Sequence, residues 1–189
     1  ANGAAGGAAK WSSRDDLQKT LDAREMDLKP IHAALAVTDI ATLPGKPDLM
    51  NQAIAGGAAA FKVHCVQCHG SGASGAKGYP NLNDDDWLWG GDLATLEKTI
   101  ADGIRQPNHD ATRFSQMPAF GRDGILQPAQ IEDTTSYVRA LSHQEAMSAS
   151  ARRGQALFAA NCAVCHGADG TGMRAQGAPN LTDAIWLYG

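Results

Sequence analysis

Cys65-Val66-Gln67-Cys68-His69 and Cys162-Ala163-Val164-Cys165-His166 repeat one pentapeptide pattern, Cys-x-x-Cys-His, and together they use all four cysteines of the chain. On a helical turn positions i, i+3 and i+4 share one face, so both thiols and the imidazole project from the same side. Two thiols on that face can bond the two vinyl groups of one porphyrin while the adjacent imidazole reaches its iron, which is the attachment signature of c-type haem. The same cysteines would also serve a pair of disulfides, a four-Cys zinc site or a thioredoxin-like redox pair. Zinc knuckles do not require His directly after both second cysteines. A redox pair needs a βαβ setting, and no strand pattern surrounds either motif. Two covalently attached haem c groups are therefore expected.

The repetition extends outward from the cysteines. Gly57-x-x-x-Phe61 precedes the first motif as Gly154-x-x-x-Phe158 precedes the second, at a constant offset of 97 residues. Downstream, Tyr79-Pro-Asn-Leu-Asn-Asp-Asp-Asp-Trp87-Leu-Trp89-Gly matches Ala178-Pro-Asn-Leu-Thr-Asp-Ala-Ile-Trp186-Leu-Tyr188-Gly, where the offset is 99. Two tandem modules are implied. The first continues through a helix, a loop holding Met117-Pro118 and a last helix ending near Leu141. The counterpart of that loop would fall past Gly189, so the second module is expected to be incomplete in this chain.

The remaining sequence reads as helical. Ser13 is expected to cap a helix that Pro30 stops, with Leu17, Leu21 and Leu28 at helical spacing. Asp48 is expected to cap a short helix into Ile54, followed by a separate helix from Gly57 to Cys65. Asp92 caps another with Gly103 as its stop, and Pro128 opens the last helix of the first module. The polar, Ala/Ser-rich stretch from Ser142 to Ala151 reads as a linker. The chain of 189 residues is 43% hydrophobic and 19% charged, as a soluble globular protein is. Its 16 Lys and Arg against 20 Asp and Glu leave a charge of -4, which disfavours a nucleic-acid partner. The longest apolar stretch, Ala53 to Phe61, has nine residues, about half of what a bilayer needs. The opening Ala1 to Lys10 lacks the basic and apolar segments of a signal peptide.

An iron held by His69 needs a second axial ligand for pure electron transfer, since an open position invites oxygen or peroxide chemistry. Met117, fixed in an extended turn by Pro118, is the first choice, and His109 in the same loop is the alternative. His166 is the iron ligand of the second module. The carbonyls of Pro80 and Pro179, 11 and 13 residues after those histidines, are placed either to accept an imidazole N–H or simply to make a turn. Trp87, Trp89 and Trp186 read as core anchors or as indole donors to haem propionates. Arg105 and Arg113 read as propionate partners or solvated cations. Gly70, Gly72 and Gly75 spell a dinucleotide-loop pattern, but they follow a cysteine-bearing helix instead of a strand, so they are expected to let backbone run close to a porphyrin edge.

The order Gly-x-x-x-Phe, Cys-x-x-Cys-His, Pro-Asn-Leu, Met-Pro and Tyr137-Val-Arg-Ala-Leu141 resembles class I cytochrome c. In that family, Gly57 and Phe61 would let the first helix cross the last near Tyr137 and Leu141. Pro80 to Gly91, Met117-Pro-Ala-Phe-Gly121 and Gly177 to Gly189 are more closely similar to the dihaem subunit of cbb-type haem-copper cytochrome c oxidases. The resemblance implies an all-α protein of two tandem class I cytochrome c domains, the second incomplete. Its segments would be an N-terminal helical part at 1–50 following an absent membrane anchor, a first domain at 51–143, a linker at 144–151 and a second domain at 152–189. It also implies a non-catalytic role on the periplasmic side of a bacterial inner membrane. Electrons would come from a donor cytochrome c and pass to a monohaem cytochrome c subunit and the oxidase catalytic subunit. A free dihaem carrier and a dihaem peroxidase are the alternatives.

Overall fold

The computed structural model describes residues 12–188, so the opening Ala1 to Lys10 lies outside the described residues. The chain divides into two compact units, Ala1–Phe61 and Lys62–Gly189. Among the described residues every regular element is helical, and the only extended pairings are isolated bridges.

In the first unit, α1 spans Ser13–Ala36. Its cap is Ser12, one residue earlier than expected, whose hydroxyl accepts the Asp15 N–H at 3.3 Å. Pro30 does not stop it. No residue of α1 is buried, so the proline forfeits one hydrogen bond on a solvated helix, and the good helix formers that follow carry the helix to Ala36. A 3₁₀ turn, Ile40–Gly45, buries Leu43 and leads into α2, Pro47–His64. Pro47 sits in the first turn, where its missing N–H costs nothing. The two helices expected here are one, because Gly56 and Gly57 are tolerated inside it.

The second unit carries both Cys-x-x-Cys-His motifs on one-turn helices, α3 at Val66–His69 and α7 at Ala163–His166. Between them lie α4, Leu93–Asp102, capped by Asp92 and stopped by Gly103 as expected, and α5, Pro128–Leu141, opened by Pro128. The helix α6, Ala149–Asn161, is capped by Ser148 and begins inside the stretch read as linker. No helix of the described residues is long and apolar enough to cross a membrane.

The core of this unit is the crossing of α5 and α6. Tyr137 meets Phe158 edge-on at 5.3 Å, and Ala151 completes the buried cluster. A Cβ on Gly154 would stand 1.9 Å from the Asp133 carbonyl oxygen, so the backbones touch there and only glycine fits. The second Gly-x-x-x-Phe copy, Gly154 and Phe158, packs on α5 here, with Leu141 beside the same cluster. The short connection after Leu141 folds α6 back onto α5.

The crossing is locked by a buried carboxylate. Asp133 accepts from Arg153 Nε at 2.8 Å, from its NH2 at 2.6 Å and from Ser150 Oγ at 2.6 Å. Hydrogen bonding to Arg153, then to Ser150, holds the Asp133 carboxyl below the usual carboxylate range. A lowered pKa stabilises the fold above the unfolded value of about 3.9, and that contribution is lost as pH falls through the native one. Acid unfolding followed by circular dichroism should therefore be less steep below pH ~4 in Asp133→Asn than in the parent. Phe158→Ala should cost about 3–5 kcal/mol in denaturant unfolding, because Phe158 is 1% exposed.

Candidate functional site

Each Cys-x-x-Cys-His turn is built the same way. In the first, the Cys65 carbonyl accepts the His69 N–H at 2.9 Å, and Gly70, at φ 79°, ends the turn. In the second, the Cys162 carbonyl accepts the His166 N–H at 2.9 Å, and Gly167, also at φ 79°, ends it. A positive φ is open to glycine at little cost, so both chains leave the turn sharply and return beneath the histidine.

The return is where the two modules agree most closely. His69 Nδ1 lies 3.0 Å from the Pro80 carbonyl oxygen, and His166 Nδ1 lies 3.0 Å from that of Pro179. The reading of these prolines as hydrogen-bond acceptors therefore describes the geometry, and the plain turn does not. A neutral imidazole donating through Nδ1 presents Nε2 as its basic nitrogen, with the ring held against rotation.

Gly75 and Gly172 make this return possible, a role the sequence reading missed. A Cβ on Gly75 would stand 2.5 Å from the Tyr79 carbonyl oxygen, and one on Gly172 would stand 2.6 Å from that of Ala178. Their own N–H groups donate at 2.8 Å to the His69 and His166 carbonyls. Gly75 thus lies against the stretch of backbone that carries Pro80. The signal was present in the sequence, since Gly75 and Gly172 keep the offset of 97. One further tie holds each loop, Leu82 N–H to the Ala73 carbonyl at 2.8 Å in the first and Leu181 N–H to the Gly170 carbonyl at 2.7 Å in the second.

The environments of the two turns differ. His166 is 7% exposed, whereas His69 is half-buried with the Tyr79 ring edge-on to it at 6.3 Å. All four cysteines are free thiols. Burial, and secondarily the neighbouring Cys165, pushes the Cys162 thiol up. Met117 lies in a segment without regular secondary structure and is 67% exposed. His109, the alternative ligand, is engaged with Asp102 at 3.1 Å. Arg113 bonds the Thr99 hydroxyl and lies over the Trp89 ring, 5.1 Å from its centre. Trp87 packs its indole on Gly91, and Arg105 donates to the Ser115 carbonyl at 2.7 Å.

The family model for Cytochrome c matches residues 54–142 and 151–189. The chain belongs to the cytochrome c family. Its two matched regions and helical architecture are those of tandem class I cytochrome c domains. This cytochrome c is 49% identical over 188 residues to the Cbb3-type cytochrome c oxidase subunit CcoP of Cereibacter sphaeroides, covering 100% of this chain and 65% of that protein. It is 44% identical over 183 residues to subunit FixP of Sinorhizobium medicae, covering 97% of this chain and 63% of the relative. It is also 44% identical over 190 residues to CcoP of Rhodobacter capsulatus, covering 100% and 64%. The chain therefore spans somewhat less than two thirds of the length of these relatives.

Cytochrome c domains imply covalently bound haem c, and the donor set fits it. Each turn offers two free thiols and an imidazole whose Nδ1 is already committed, the state in which Nε2 ligates iron. Apolar side chains next to or within the motifs are exposed, Val63 and Val164 among them, as surface that a porphyrin would cover.

Gly75→Ala and Gly172→Ala should each cost about 1–3 kcal/mol in denaturant unfolding through overlap with the returning backbone. Gly72→Ala, with nothing within 4 Å of the added Cβ, should stay within about 0.5 kcal/mol of the parent.

Proposed function

We propose that this chain is the dihaem electron-transfer subunit of a cbb3-type cytochrome c oxidase. It would take single electrons from a donor cytochrome c and deliver them toward the monohaem and catalytic subunits, at the periplasmic face of a bacterial inner membrane. The observation that carries the reading is the duplicated site: two Cys-x-x-Cys-His turns, each with its imidazole Nδ1 set 3.0 Å from a prolyl carbonyl. The relatives' shared name as oxidase subunits, at 44–49% identity, supplies the assembly in which such a pair would work.

In this reading Cys65 and Cys68 hold one haem c by thioether bonds, and Cys162 and Cys165 hold the other. A haem c supplies one-electron exchange between ferric and ferrous iron. The protein's part is to hold ligands still and control solvent. His69 and His166 would each supply an imidazole nitrogen to an iron, and the Pro80 and Pro179 carbonyls would fix each ring and strengthen its donation. Met117 is the proposed second protein ligand of the first site. Its thioether would favour the ferrous state, raise the potential and keep oxygen and peroxide from the iron. Trp87 and Arg113 are the proposed partners of the first site's propionates. His166, more deeply buried than His69, works in a drier environment.

Three measurements test the proposal. The intact mass of the periplasmically matured protein should equal the polypeptide plus two haems, and a haemless mass ends the reading. In redox titration, Met117→Ala should lower one midpoint potential and leave the other in place. The parent should show no peroxide turnover; fast turnover would instead indicate a peroxidase.

A further inference from the structure

The loops that carry the prolyl carbonyls also grip one another. A Cβ on Gly177 would stand 2.2 Å from Cε2 and Cζ2 of Trp89, so the indole lies directly on the Gly177 backbone. In the opposite sense, a Cβ on Gly78 would stand 3.3 Å from Cε1 of Tyr188, and the Gly78 N–H donates to the Leu187 carbonyl at 2.7 Å. Both pairs obey the offset of 99: Gly78 corresponds to Gly177, and Trp89 corresponds to Tyr188. An aromatic of the first module therefore sits on a glycine of the second, and the equivalent aromatic of the second sits on the equivalent glycine of the first. This is how the two halves of a two-fold symmetric dimer meet, with the same patch used twice, here inside one chain.

We propose that this reciprocal clasp, Trp89 on Gly177 and Tyr188 on Gly78, is the interface that holds the two haem modules in one fixed relation, with Trp89 as its principal positioning residue. The proposal rests on the two-haem reading above. Gly78 lies two residues before Pro80, and Gly177 lies two residues before Pro179. The clasp thus fixes each loop next to the carbonyl that orients its imidazole, and a defined relation between redox sites is what the polypeptide contributes to electron exchange.

The two halves are unequal. Tyr188 is 72% exposed, while Trp89 is half-buried and held from above by the Arg113 guanidinium. Gly177 is required twice over, by the overlying indole and by its φ of 58°, whereas at Gly78 the φ of 83° is the stronger requirement. Beside the clasp a cleft of about 360 Å³ separates Asp86, Trp87 and Leu88 from Met173, Arg174 and Pro179. Asp86 is pushed above the usual carboxylate range by burial, then by Asp183 of the other module and by Asp84, with Arg174 opposing, so charges of both modules face each other there.

Amide exchange at Gly78 in the reduced holoprotein reads the clasp directly, because that N–H is bonded across it. Gly177→Ala and Trp89→Ala should each speed this exchange by about tenfold or more, and Trp89→Phe should recover part of the protection. Gly124→Ala is the control: Gly124 has φ +69° and nothing within 4 Å of an added Cβ, so it imposes the backbone strain alone and should leave Gly78 unchanged. Both clasp variants should keep two haems by mass yet slow electron equilibration between them. Gly78 exchange that is unaltered in Gly177→Ala, or altered equally in Gly124→Ala, overturns the clasp. A mass short of two haems overturns the two-haem reading instead, and the amide result still decides the clasp.

Discussion

An imidazole can serve a metal only if one ring nitrogen is kept away from it, and in both modules the carbonyl of a proline does this at 3.0 Å. Most of the local architecture follows from that single contact. The chain must leave the cysteine turn, travel 11 or 13 residues, and come back beneath the histidine. It does so through a positive-φ glycine directly after the histidine, and through a second glycine, Gly75 or Gly172, over which the returning backbone passes too closely for any side chain. Proline is apt at the return because it has no N–H of its own to satisfy, while its carbonyl is free to accept.

The hydrophobic core lies next to the second of these contacts in sequence. Among the described residues the fully buried side chain of size is Phe158, four residues before Cys162 and packed on Tyr137. The helix α6 that bears it is pinned to α5 by glycine-on-backbone contact and by the Asp133 carboxylate. A carboxylate is expensive to bury unless fully bonded, and Asp133 accepts from both Arg153 and Ser150. The second attachment turn therefore grows from a rigid support, and His166 is correspondingly well shielded.

Several features were legible because they depend on neighbours a few residues away. The Asp92 cap, the Gly103 stop, the Pro128 start and both cysteine turns are interactions within one or two helical turns, where residue type and spacing suffice. The misjudged boundaries arose where local preferences were close to balanced. Ser12 and Ser13 are equally good caps, and Pro30 breaks one hydrogen bond in a helix whose other residues favour continuing.

What the amino-acid order by itself determined is the chemistry: two thiols and an imidazole on one face of a turn, twice, each followed by a proline within reach of its histidine. Those relations are set by helix geometry and short loop lengths, which leave the chain few alternatives. What only the tertiary structure decided is which surfaces meet. Gly154 lies with its backbone on Asp133 and Phe158 lies edge-on to Tyr137, contacts between residues on two different helices. Likewise nothing in the repeat announces that Trp89 rests on Gly177 of the other module, because a duplicated pattern says which surfaces are alike, and only packing in three dimensions selects which of them meet.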